Sequence, residues 1–137
     1  MNRNDSRRSW TIAPSECEVQ RLAFDWAVGV ELVAGDDRYY LRIESPFVLQ
    51  EGSTESLVVP EIPSTAGALL LVLRQKVVEL EMFDEGHLEM QLSQSRISVP
   101  GTEDYEPWEL TGPNGLRVVS IPGGELAVWL PTSERLE

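Results

Sequence analysis

Residues 77–92, VVELEMFDEGHLEMQL, decide the fold class. Val78, Leu80 and Met82 alternate with Val77, Glu79, Glu81 and Phe83, and the run stops at Asp84-Glu85-Gly86. Leu88, Met90 and Leu92 then answer, with His87, Glu89 and Gln91 on the opposite face. A period of two on both sides of a Gly-bearing turn predicts an antiparallel hairpin with one buried and one wet face. Val78, Leu80 and Met82 are expected to point inward, and Glu79 and Glu81 outward.

The same pattern recurs on either side. Val28, Val30 and Leu32, then Gly35-Asp36-Asp37, then Tyr39, Leu41 and Ile43 predict a second hairpin. Pro46 bends or ends it, and residues 50–56 read as a polar loop. Downstream, residues 96–99 form a strand leading into a loop at 100–107. Residues 116–121 and 125–130 are two further strands joined by Pro122-Gly123-Gly124, whose glycines accept positive φ. Gly112-Pro113-Asn114-Gly115 is another turn. One segment differs: Ser64-Thr65 offers a cap, and Ala66, Leu69, Leu70 and Leu73 follow at helical spacing. This predicts one helix over 64–75, with a buried strand as the competing reading because LLLVL is apolar throughout.

The expected class is therefore α+β and β-rich. About seven to nine short, mostly antiparallel strands would form a strongly curved sheet or a partly open barrel, covered by one helix. A chain of 137 residues suits one core. The expected layout is a flexible polar tail at 1–14, a single domain at 15–131 and a C-terminal tail at 132–137.

Charge narrows the function. The chain carries 11 Lys plus Arg against 23 Asp plus Glu, a net −12. Three of the arginines, Arg3, Arg7 and Arg8, lie in the expected tail, which leaves the rest more acidic still. Such a surface repels phosphate backbones, which speaks against nucleic acid, and steers a basic protein. The apolar run 66–73 is far too short to span a membrane. The start, MNRNDSRRSW, has no following apolar stretch, so a cytoplasmic location is expected.

Catalytic motifs are scarce. The single cysteine, Cys17, sits in an alternating stretch and reads as a core residue. The single histidine, His87, reads as an exposed turn residue, and one His with one Cys gives no transition-metal ligand set. No metal or cofactor is expected. A Ser–His–Asp arrangement stays open because triads are spatial, although no strained nucleophile elbow is present. No Gly-rich phosphate loop appears.

What remains is acid beside aromatics. Glu79, Glu81, Asp84 and Glu85 form one acidic stretch; Asp104, Tyr105, Glu106, Trp108 and Glu109 form a second. Tyr105 and Trp108 suit the role of interface anchors, while Trp108 serves equally well as core. Trp129 reads as a core residue that pins the last hairpin. Glu106, Glu109 and Glu125 are the candidate carboxylates for a pocket doing acid–base chemistry.

Three stretches carry a resemblance: Leu41-Arg42-Ile43-Glu44 with Pro46-Phe47, then Tyr105-Glu106 with Trp108-Glu109, then PGGELAVW at 122–129. On these the chain resembles a bacterial family of small acidic proteins from high-GC Gram-positive organisms, known only as a domain of unknown function. The resemblance spans about residues 17–130 and implies no activity. By size and charge such proteins are similar to the immunity proteins that accompany toxins. The expectation is a non-enzymatic acidic protein that covers the active site of a basic toxin or nuclease. The alternatives are a small-molecule binder or enzyme using Glu106, Glu109 and Glu125, and a self-associating structural module.

Overall fold

A computed structural model describes residues 1–132, so the tail expected at 132–137 lies, from 133 on, outside the described residues. The chain is β-rich, as its alternation requires, but the strands form two open sheets rather than one curved sheet or a barrel. Thirteen strands are present among the described residues, more than the sequence suggested. In chain order they are β1 (Asn2–Asn4), β2 (Ser9–Ile12), β3 (Cys17–Phe24), β4 (Val28–Ala34), β5 (Asp37–Ile43), β6 (Phe47–Glu51), β7 (Thr54–Val58), β8 (Val77–Phe83), β9 (Leu88–Leu92), β10 (Ser95–Val99), β11 (Trp108–Thr111), β12 (Arg117–Ile121) and β13 (Glu125–Trp129). The first sheet has the order β1-β2-β8-β9-β10-β6-β7, and the second β13-β12-β11-β5-β4-β3, every pairing antiparallel. Their inward faces share one core, in which Leu80, Met82, Leu88 and Met90 of the first sheet meet Leu41, Ile43, Trp108 and Val118 of the second.

The hairpin at 77–92 forms, with a correction at its start. A bulge between Val77 and Glu79 shifts the register, so Val77 is buried and Val78 is 55% exposed, the reverse of strict alternation. The polar stretch 50–56 is the tip of the β6–β7 hairpin and not a free loop. Its strands were obscured because charged residues occupy both faces at the sheet edge.

The expected helix is present but wound tighter, as a 3₁₀ segment over Pro63–Val72. Its buried residues are Ala66, Leu69 and Val72, spaced by three, which suits three residues per turn. Leu70 and Leu73, placed inward by an α-helical period, are 57% and 37% exposed. The Thr65 hydroxyl accepts from the Val59 N–H (2.8 Å) and donates to the Ile62 carbonyl (2.8 Å), holding the entry turn.

The largest correction concerns residues 1–14. The expected flexible tail is instead the β1–β2 hairpin, added to the first sheet along β8. Two arginine forks fasten it there. Arg3 forks onto Asp84 (2.6 and 2.7 Å), and Arg7 forks onto Glu81 (2.9 and 3.1 Å). Ser9 and Ile12 are buried. A bidentate guanidinium–carboxylate pair fixes geometry as well as charge, so these arginines belong to the folded surface.

Candidate functional site

Three connections that the sequence placed far apart converge at one end of the molecule. The Gly86 carbonyl, in the β8–β9 turn, accepts from Trp108 Nε1 (2.8 Å) and from Ser120 Oγ (2.8 Å), so two strands of the second sheet are pinned to a turn of the first. Gly86 has φ +103°, and a Cβ there would lie 2.9 Å from Ser120 Oγ. Both facts demand glycine. Gly101 and Gly124 close on the same turn, each with a position for Cβ 3.0 Å from the Glu85 carbonyl. Gly123 N–H donates to Thr102 O (3.0 Å), tying the β12–β13 turn to the loop before β11.

This packing exposes Glu85, Glu103, Asp104, Tyr105, Glu106 and Glu125 on neighbouring connections. Among the described residues Glu103, Asp104, Glu106 and Glu125 make no ion pair. Tyr105 is 42% exposed in their midst. The β3–β4 turn lies at the same end of the second sheet, because Val28 pairs with Ile43 and Ile43 with Trp108. It holds out Phe24 and Trp26, the latter 78% exposed. Asp25 Oδ1 takes the Ala27 N–H (2.7 Å) and so tightens the turn beneath Trp26. Sequence reading missed this pair; the signal available was the break in alternation at Phe24-Asp25-Trp26.

Five expected interface residues do not serve. Trp108 is 1% exposed and its indole N–H is used internally, so it is core and cannot anchor a partner. Glu81 is 7% exposed beneath the N-terminal hairpin, held by Arg7 and Ser9. Those hydrogen bonds, Arg7 first, keep its carboxyl below the ordinary value of 4.5 against the opposing cost of burial. Asp84 is likewise held low by the Arg3 fork. Glu109 faces out from β11 but is taken by Arg117 at 2.9 Å. Glu79 is exposed but lies in the first half of β8, away from the turn at its other end. Of the first acidic stretch only Glu85 reaches the loop cluster.

The pocket reading of Glu106, Glu109 and Glu125 loses its centre. Register sets Glu109 opposite Val119 and Glu125 opposite Ile121, on strands separated by β12. No group of three or more His, Cys, Asp or Glu suited to a metal occurs among the described residues.

The outer face of the first sheet holds a polar groove, about 250 Å³, between the hairpin arginine Arg7 and strands β8 to β10. His87 stacks on Phe83 (4.9 Å between centroids, 10° between planes), and its Nε2 meets Glu89 at 3.1 Å. Ser98 donates to the other oxygen of the same Glu89. The order is thus serine–carboxylate–imidazole: the hydroxyl meets the carboxylate and not the imidazole, which is not the order of a Ser–His–Asp triad. Cys17 is a core residue, its thiol pushed up to about 11 by burial and by Glu18. Among the described residues no helix is long and apolar enough to cross a membrane.

A model of a family of unknown function (DUF6188) matches residues 10–130, so the chain belongs to that family. No curated protein and no solved structure matches the chain. The matched span begins inside β2 and leaves out β1, Arg3 and Arg7.

Proposed function

We propose that this chain is a non-enzymatic binding protein whose acidic loop end docks a basic protein, most concretely as an immunity-type inhibitor covering the cationic site of a toxin or nuclease. One observation carries the proposal: Glu103, Asp104 and Glu106 stand without ion-pair partners around the exposed Tyr105, on a loop that Gly86, Gly101 and Gly123 hold in place. Exposed carboxylates with no internal cation are free to answer an external one. They would raise the association rate of a basic partner, while Tyr105 and Trp26 supply the apolar contacts that slow its release.

The test is capture of partners from the native host with the intact chain and with the double variant Asp104→Lys/Glu106→Lys. Both side chains are exposed, so folding should survive, as an unchanged melting temperature would verify. A basic protein captured by the parent chain should be lost on charge reversal and released as salt approaches 1 M, where the Debye length is about 3 Å. A partner indifferent to both changes would remove the proposal.

A further inference from the structure

The four sheet edges are not alike. β1 is only three residues long. β3 carries a bulge between Val19 and Arg21 and is bonded at Val19 by Arg74 N–H (2.7 Å) and Gln75 O (3.0 Å). β7 runs into the Thr65 cap, with the 3₁₀ segment against it. Natural edges are blunted by such means, by shortness, bulges and covering segments. Among the described residues β13 has none of them. It is a terminal strand of five residues, Glu-Leu-Ala-Val-Trp, with unbroken register against β12, no Lys, no Pro and no fully buried residue. The chain then leaves it toward the β11–β12 connection, where Thr132 Oγ1 donates to Asn114 O (2.9 Å).

We infer that β13 is a self-association edge: two copies pair β13 with β13, antiparallel about a two-fold axis at Ala127, joining two six-stranded sheets into one. The strand is complementary to itself in that register. A five-residue strand pairs along its whole length only when centred on its third residue, which sets Leu126 opposite Val128 of the second copy and Glu125 opposite Trp129. Leu126 and Val128 already pack partly on the core, and each would gain an apolar cross-strand neighbour. On the outer face Arg117 is the cross-strand partner of Trp129, its guanidinium 5.1 Å from the indole centroid. Glu125, unpaired within its own copy, thereby arrives beside the other copy's stacked arginine. The symmetry supplies this contact twice, and it is isologous, so the assembly closes as a dimer. The area is small, which makes the association weak and concentration-dependent.

The edge is independent of the acidic loop docking proposed above, and its test needs no partner. Sedimentation equilibrium of the full chain should show a mass rising with concentration from 15.4 kDa toward twice that value. The rise should persist or sharpen at about 1 M salt, where repulsion between two chains of net −12 is screened. Ala127→Glu opposes two carboxylates on the axis and should leave a monomer at every concentration, with an unchanged melting temperature. Ala127→Cys should form an intermolecular disulfide under mild oxidation, since directly opposed residues lie about 4.5–5.5 Å apart between Cα atoms; the buried Cys17 does not compete. A chain that stays monomeric up to about 1 mM in high salt, or a dimer unaffected by Ala127→Glu and not cross-linked at residue 127, would overturn the inference.

Discussion

Trp108 and Trp129 lie in the same sheet, two strands apart, and meet opposite fates. Trp108 opens β11, pairs with Ile43 and points into the shared core, 1% exposed. Trp129 closes β13, pairs with Arg117 and points out, 43% exposed under a guanidinium. Local composition does not predict this, since Trp129 stands between Val128 and Leu130 while the buried Trp108 stands between Pro107 and Glu109. Parity and position do. A strand flips alternate side chains to opposite faces, and an edge strand has nothing beyond it to cover even its inward face. Glu81 and Glu106 repeat the contrast in charge: one carboxylate is sealed under a hairpin by two donors, the other stands free on a loop.

The sharpest way to break the comparison is to remove each ring. Trp108→Ala should destabilise the chain by about 3–5 kcal/mol, read as a large fall in the denaturation midpoint. Trp108→Phe keeps most of the volume and removes only the donor to Gly86. Because Ser120 still bonds that carbonyl, the cost should be nearer about 0.5–1.5 kcal/mol. A Phe variant as damaged as the Ala variant would mean that the cross-sheet hydrogen bond, not the packing, holds this end together.

Gly86→Ala comes next. It forces a Cβ to 2.9 Å from Ser120 Oγ at φ +103°, a strain of about 1–3 kcal/mol. The damage should reach the loop end first. Protease cleavage within 100–107 should appear before the melting point falls far, because the same turn supports that loop.

Much of this was legible in the chain. The alternation of 28–43 and 77–92 placed both central hairpins, and PGG placed the last one. The sequence did not reveal the N-terminal hairpin, because the arginine forks that fasten it reach Asp84 and Glu81, more than seventy residues away. Local periodicity carries no trace of such pairs. The bulge at Val78 and the period of three in the 3₁₀ segment were hidden for a related reason. In an apolar run every period fits, and only the facing sheet decides which side chains go in. For the candidate site, the acidic loop with Tyr105 was visible as composition, whereas the burial of Trp108 and the exposure of Trp26 follow from register with distant strands.

Acid tests the Glu81 side of the contrast. The folded-state values of Glu81 and Asp84 lie below their ordinary 4.5 and 3.8, chiefly through the arginine hydrogen bonds. Their contribution to stability is complete above those ordinary values and is lost as pH falls through the lowered ones. Stability should therefore decline below about pH 4.5, and the amides of residues 2–12 should lose exchange protection before those of β4 and β5. Arg7→Gln should remove part of this slope. A hairpin that keeps its protection in acid while the core opens would show that Trp10 and Ile12 packing, and not charge, seats it.

The smallest effect belongs to the other tryptophan. Trp129→Ala removes a half-exposed ring from an edge strand, and with it a cation–π contact with Arg117 worth about 0.5–1 kcal/mol at exposed sites. Arg117 keeps its bond to Glu109, and Val128 and Leu126 keep the strand's inward packing. The denaturation midpoint of the dilute monomer should thus move little, by no more than about 1 kcal/mol in free energy. A loss approaching that of Trp108→Ala in dilute solution would show that the ring is covered within one copy and would return Trp129 to the core. If instead the variant is near-silent when dilute but loses the concentration-dependent mass gain, the ring acts between copies, at the edge where Glu125 of a second chain would meet it.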